Sequence, residues 1–91
     1  MRRMIYVDEL RTYPLTHRWR YGQACHMLAD TLDELHAFAT KIQLRRSWFQ
    51  PHDRWPHYDL TANRRRVAIE NGAVEITARE FVKRFLNSGT R

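Results

Sequence analysis

The stretch that starts at His57 carries the side chains of this sequence that are best suited to chemistry. It holds an imidazole, a phenol and a carboxylate, and three consecutive arginines follow a few positions later. An imidazole beside a carboxylate can transfer protons, and guanidinium groups form paired hydrogen bonds with phosphate. We therefore predict a site for a phosphate-bearing ligand that is lined by His57, Tyr58, Arg64 and Arg65.

Three aspartates, Asp8, Asp30 and Asp59, each lie at or just after the end of a predicted strand. Ligands gather at the carboxyl ends of strands in open α/β sheets, and carboxylates that converge there can hold Mg²⁺. The alternative function is therefore a metal-dependent nuclease or phosphohydrolase that uses these aspartates, with His57 or His26 assisting. A structural role competes with it, because Asp30 and Asp59 also precede helices that they can cap.

The five histidines and the single cysteine show no recognised zinc spacing. We therefore assign no metal ligands and name no cofactor from the sequence, although a mixed His/Asp site stays open. His36 falls beside apolar positions of a predicted helix and is expected at the edge of the core with a hydrogen-bond partner. Cys25 lies in an apolar strand and is predicted to be a buried thiol.

The chain is basic, with 16 Lys and Arg residues against 10 acids and a formal net charge of +6. Basic residues alternate with aromatic ones, a composition that suits contact with phosphates and stacking on bases. Arg18, Arg20, Arg45 and Arg46 would widen the basic surface. Nucleic acid or a nucleotide is the expected partner, and a solvated basic face is the structural alternative.

The 91 residues are expected to form one domain, residues 1–91. No apolar run is long enough to span a membrane, and no apolar signal region follows the N-terminal arginines. One cysteine fits a reducing cytoplasm. A domain of this size buries a modest core, so a homodimer would add to its stability.

Hydrophobic periodicity predicts five strands, at residues 4–7, 24–29, 44–50, 57–60 and 73–76. Helices are predicted to begin after the capping residues Thr31, Thr61 and Thr77, and residues 9–23 are predicted to form a long ordered loop. From the second strand onward the order is β-α-β-β-α-β, which is typical of a ferredoxin-like α+β fold. An N-terminal strand and a C-terminal helix are added to it. A small three-layer α/β fold is the alternative.

Several segments together resemble a small family of bacterial and bacteriophage proteins described as a domain of unknown function. The matching segments are Met4–Asp8, Cys25–Asp30, Glu34–Ala39, Trp48–Gln50, His57–Thr61 and Gly72–Ala73. The resemblance covers nearly the whole chain and implies a bacterial or phage protein, but it implies no activity. It adds a third hypothesis, a phage protein that binds a host protein through its basic and aromatic surface.

Overall fold

A computed structural model describes residues 4–15 and 22–86. Within these residues the strands are β1 (Ile5–Val7), β2 (Arg11–Thr12), β3 (Gln23–Ala29), β4 (Phe49–Gln50), β5 (His57–Leu60) and β6 (Val74–Glu75). The helices are α1 (Leu32–Lys41), α2 (Ala62–Glu70) and α3 (Ala78–Phe81). Arg46–Trp48 forms a 3₁₀ turn, and Val82–Leu86 continues α3 as a π-helical turn. No helix in this part of the chain has the length and apolar composition needed to cross a membrane.

The strands form one sheet in the order β4-β5-β3-β1-β6, and β2 pairs with the start of β3. β1 and β6 are parallel, and the other neighbouring strands are antiparallel. The α+β class is therefore confirmed. The ferredoxin-like order is not, because that fold would place the strand after the second helix directly beside β3. Here the N-terminal strand β1 lies between them.

The two faces of the sheet carry different residues because successive side chains of a strand point to opposite faces. Met27, Tyr58 and Leu60 belong to the core that packs against α1 and α2. On the opposite face, Leu28 packs in a second cluster with Phe81 of α3. The same alternation places His26 and Leu28 of β3, and His57 and Asp59 of β5, on the face of the sheet that packs against α3.

Each helix begins after a threonine whose hydroxyl accepts a hydrogen bond from the amide three residues later: Thr31, Thr61 and Thr77. At Thr77 the capping box is complete, since the Glu80 carboxylate accepts a hydrogen bond from the Thr77 amide. Because the threonines act as N-caps, Asp30 and Asp59 are not the capping residues. Their carboxylates take part in other contacts.

Two predicted elements differ from the structure. Of the strand predicted at 44–50, only Phe49–Gln50 pairs with a neighbour, because the amide of Trp48 closes a 3₁₀ turn on the Arg45 carbonyl at 3.0 Å. The segment predicted as a loop, residues 9–23, contains β2, which forms a hairpin-like pair with the first residues of β3. Residues 16–21 of that segment lie outside the described chain.

Candidate metal centre

Three potential metal ligands converge on the α3 face of the sheet. His26 in β3 and Asp59 in β5 are cross-strand partners, and His57 lies two residues before Asp59 on the same face. His26, His57 and Asp59 each offer one ligand atom, and these atoms lie within 4.8 Å of one another. The Nε2 atom of His57 is 3.4 Å from Oδ1 of Asp59. Two nitrogen donors and one oxygen donor are thus within the reach of a single ion.

Asp8 lies directly opposite His26 at the end of β1. The register of β1 pairs Val7 with Met27, and the Asp8 amide donates to the His26 carbonyl at 3.1 Å, so Asp8 continues this pairing by one residue. Strand alternation places its side chain on the α3 face with His26, where the residue is only 2% exposed. Because Arg11 pairs with Ala24, one extra residue follows Asp8 as a β-bulge, a feature that is frequent next to functional sites.

Both carboxylate oxygens of Asp8 accept hydrogen bonds from His26. Oδ1 accepts from the His26 amide at 2.6 Å, and Oδ2 lies 2.7 Å from the ring Nδ1. An ionised carboxylate can only accept hydrogen bonds, so Nδ1 must carry a proton. In the neutral ring, the lone pair of His26 is therefore on Nε2.

His57 is held in a similar way by a backbone carbonyl. Its Nδ1 lies 2.9 Å from the carbonyl oxygen of Trp55, which can only accept, so this nitrogen is also the donor. The remaining nitrogen, Nε2, faces the Asp59 carboxylate. When the ring is neutral, both of these facing atoms are acceptors, so a metal ion bound between them would be held by both.

Aromatic side chains pack against both imidazole rings of the cluster. The Trp55 indole stacks on His57 with ring centroids 4.6 Å apart, and Phe81 of α3 stacks on His26 at 5.7 Å. The side chains of His26 and His57 are 20% and 9% exposed, whereas that of Asp59 is 34% exposed. The cluster is therefore enclosed around the imidazoles and open to solvent at the carboxylate.

Asp30 does not join the cluster. Its Oδ1 lies 3.6 Å from Nη1 of Arg84, and its Oδ2 accepts a hydrogen bond from the hydroxyl of Tyr6 at 3.5 Å. It lines a separate cavity of about 330 Å³ between the start of α1 and the loop that contains Trp55. Of the four predicted catalytic residues, the structure brings together His57 and Asp59, with Asp8 behind His26, and it separates Asp30 from them.

Tyr58 lies on the opposite face of the sheet from His57, as strand alternation requires. Its hydroxyl is 2.8 Å from Nδ1 of His36, which confirms the expected hydrogen-bond partner for His36. Burial raises the pKa of Tyr58. Burial and the nearby positive charge of Arg46 lower the pKa of His36. Because the pKa of His36 is lower in the folded protein than in the unfolded chain, the unfolded chain takes up the proton first. The free energy of unfolding therefore falls as the pH drops below about 6.5. Because Tyr58 and His57 lie on opposite faces of the sheet, they cannot line one ligand site.

Arg64 and Arg65 both lean toward the sheet, but their guanidinium groups contact the protein itself. Nη1 of Arg64 donates to the carbonyl of Ile42 at 3.3 Å. Nε of Arg65 donates to the Asp8 carbonyl at 2.9 Å, and its Nη2 lies 3.3 Å from a carboxylate oxygen of Glu75. Arg64 therefore connects α2 to the end of α1, and Arg65 connects it to the end of β1 and to β6. The structure gives both arginines a structural role.

Of the other predicted basic residues, the structure describes Arg45 and Arg46, which are not among the clustered residues. Arg45 and Arg46 are exposed beside the 3₁₀ turn, and the guanidinium carbon of Arg45 lies 6.0 Å from the centre of the Trp48 ring. Arg18 and Arg20 lie outside the described residues. The buried thiol was predicted correctly: Cys25 is 2% exposed, and burial, with a contribution from Asp8, raises its pKa to about 12.

The sequence alone named His26 only as an assisting residue, although the structure places it at the centre of the site. Its signal was the strand alternation that it shares with His57 and Asp59. That signal becomes informative only when β3 and β5 are known to be neighbours and their register pairs His26 with Asp59.

The fold and site together define a small α+β domain with a compact His/Asp cluster on one sheet face. The chain belongs to the family described as protein of unknown function (DUF4031), whose family model matches residues 5–88. No curated protein and no solved structure matches the chain.

Proposed function

We propose that this protein is a metal-dependent hydrolase of phosphate esters, such as nucleic acids or nucleotides. The observation that supports this proposal is the set of ligand atoms from His26, His57 and Asp59 within 4.8 Å of one another. Three protein ligands leave a coordination position open, which is the pattern of catalytic rather than structural metal sites. Structural zinc sites are usually closed by a fourth protein ligand.

The side on which the Asp59 carboxylate reaches solvent gives a substrate access to the site, since this side chain is 34% exposed. A bound ion would lower the pKa of a coordinated water and polarise a phosphoryl oxygen. The oxygen of such a water would attack phosphorus as the bond to the leaving oxygen breaks. One proton of the water goes to solvent, and the leaving oxygen takes one proton from solvent.

The charge of the chain supports a phosphate-bearing substrate. The net charge of +6 would attract polyanions and raise their local concentration near the site. Phosphate recognition by Arg64, Arg65 and Tyr58 is not part of this proposal, because their polar groups contact other protein groups.

We expect hydrolysis of a generic phosphodiester, bis(p-nitrophenyl) phosphate, or of single-stranded DNA or RNA, to be lost after chelation and restored by added zinc. Asp59→Asn should lower kcat/KM by at least about tenfold, because a neutral amide is a weaker ligand than a carboxylate and stabilises less charge. Asp33→Asn is a matched control, since Asp33 is an exposed residue of α1, and α1 packs on the face of the sheet opposite the cluster. Activity that resists both chelation and Asp59→Asn would contradict the proposal.

A second candidate function is binding of single-stranded nucleic acid without hydrolysis. It is favoured by the exposed Arg45 and Arg46 and by the contact of Arg45 with the exposed Trp48 ring, since a basic and aromatic surface suits phosphate contact with base stacking. This function predicts binding that persists after chelation and weakens steeply with salt. Binding of a host protein stays a prediction of the sequence, as does a homodimer.

A further inference from the structure

We infer that the cluster is a site for a borderline transition-metal ion such as Zn²⁺, bound through Nε2 of His26, Nε2 of His57 and a carboxylate oxygen of Asp59. In this assignment Asp8 is a positioning residue that holds His26 ready to bind the ion. The inference deepens the proposed function by naming the metal and the ligand atoms, but it does not depend on which substrate is hydrolysed.

The ligand atoms follow from the hydrogen bonds of the two rings. In both histidines Nδ1 faces an acceptor, the Asp8 carboxylate at 2.7 Å in one and the Trp55 carbonyl at 2.9 Å in the other. Metal-binding histidines almost always donate their second ring N–H to a carboxylate or a backbone carbonyl, which fixes the tautomer and the ring orientation. In this cluster His26 faces a carboxylate and His57 faces a backbone carbonyl, so each ring shows one of these two arrangements.

The donor types select the class of metal, and the distance between two of the ligand atoms agrees with it. Imidazole nitrogens suit Zn²⁺ and its transition-metal neighbours, whereas Mg²⁺ prefers oxygen ligands. Ligands at about 2.0–2.1 Å from a tetrahedral zinc ion lie about 3.4 Å apart, and Nε2 of His57 lies 3.4 Å from Oδ1 of Asp59. The Mg²⁺ expected from three converging aspartates does not fit, because Asp30 lies elsewhere and Asp8 faces His26.

Asp8 holds His26 at the expense of a regular backbone hydrogen bond. The Asp8 amide donates to the His26 carbonyl at 3.1 Å, so an antiparallel pair would return a bond from the His26 amide to the Asp8 carbonyl. Instead, that amide donates to the Asp8 carboxylate, and Nε of Arg65 donates to the Asp8 carbonyl. The amide and the ring nitrogen of His26 both contact the Asp8 carboxylate, and these two contacts fix the position of the carboxylate beside the imidazole ring.

The substitution Asp8→Asn tests this role because it changes the hydrogen-bond chemistry with little change in shape. The new amide oxygen must face the His26 amide, so its NH₂ group faces the ring nitrogen Nδ1. The ring should then accept at Nδ1 and carry its proton on Nε2, which removes the lone pair needed for the metal. We expect zinc affinity to fall by about 10–100-fold.

The experiment has two readouts on the intact protein. In the metal-free protein, ¹⁵N NMR of the imidazoles at a pH where imidazoles are neutral should show both His26 and His57 as Nδ1–H tautomers. In Asp8→Asn only His26 should change to the Nε2–H tautomer. Calorimetry should show that wild type binds zinc far more tightly than magnesium, and that Asp33→Asn binds zinc as wild type does.

An Nε2–H tautomer of His26 in the metal-free wild type would overturn the inference, and this measurement does not require the variant to fold. So would wild-type zinc affinity in Asp8→Asn, or a preference of the wild type for magnesium. A merely structural Asp8 would lower the midpoint of unfolding without changing the His26 tautomer. Tight zinc binding without turnover of any phosphate ester would contradict the proposed function and leave this inference intact.

Discussion

Replacing His57 with alanine is expected to lower zinc affinity by about 100-fold. Structural sites with four ligands bind zinc with a free energy of about 10–16 kcal/mol, so each ligand contributes about 3 kcal/mol. A loss of about 3 kcal/mol corresponds to about two orders of magnitude in the dissociation constant. His57 faces Asp59 through Nε2 at 3.4 Å, and its loss leaves only His26 and Asp59 to hold the ion. Calorimetric titration of the metal-free variant with zinc measures the effect.

His52→Ala is the matched control for this variant. His52 and His57 both pack on the Trp55 indole, with ring centroids 4.3 and 4.6 Å away, but His52 is exposed and is not among the three clustered ligands. The control should bind zinc as wild type does. Equal losses in the two variants would show that zinc binds to surface histidines and would contradict the assigned site.

Replacing Arg65 with alanine is expected to lower the free energy of unfolding by about 2–3 kcal/mol. The hydrogen bond that Arg65 donates to the Asp8 carbonyl contributes about 1.5–3 kcal/mol, and its pair with Glu75 adds little, because the Glu75 side chain is 60% exposed. The Arg65 side chain is 16% exposed, so its bond to the carbonyl is partly shielded from water. Loss of the guanidinium also leaves the Asp8 carbonyl without its donor.

Arg66→Ala serves as the neighbouring control, since the Arg66 side chain is 63% exposed and pairs with Glu70 one helical turn away. A surface pair of this kind contributes about 0.3–0.5 kcal/mol. Denaturant unfolding of both variants and wild type measures the difference. If Arg65→Ala were as stable as Arg66→Ala, Arg65 would be available for a ligand, as the sequence suggested, and its structural role would be contradicted.

Much of the fold could be predicted from local sequence patterns. The helix starts at Thr31, Thr61 and Thr77 follow from side chains that bind amides within one turn, and hydrophobic periodicity located the long strand β3 and the three helices. The sheet order could not be predicted in this way, because it depends on contacts between distant segments. Nothing local to Ile5–Val7 indicates that β1 lies between β3 and β6.

The candidate site was predicted in part. His57 and Asp59 were both selected for their chemistry and their proximity in sequence, and both belong to the cluster. The role of His26 depends on the register between β3 and β5, and the role of Asp8 depends on the register between β1 and β3, which places it opposite His26. A spacing rule cannot detect a site that is assembled across three strands.

The arginines show why residue type alone overestimates ligand binding. The guanidinium groups of Arg64 and Arg65 suggested a phosphate site, because such groups form paired hydrogen bonds with phosphate. In the structure, backbone carbonyls of Ile42 and Asp8 accept hydrogen bonds from them. A guanidinium satisfied by carbonyl oxygens has the same sequence signature as one that binds phosphate.

The central claim is that His26, His57 and Asp59 form one metal site, and anomalous X-ray diffraction from crystals of the zinc-loaded protein tests it most directly. The predicted result is a zinc peak about 2.0–2.2 Å from an imidazole nitrogen of each histidine and from a carboxylate oxygen of Asp59. Zinc found only on other side chains, such as the exposed His52, with these three residues uncoordinated, would contradict the claim.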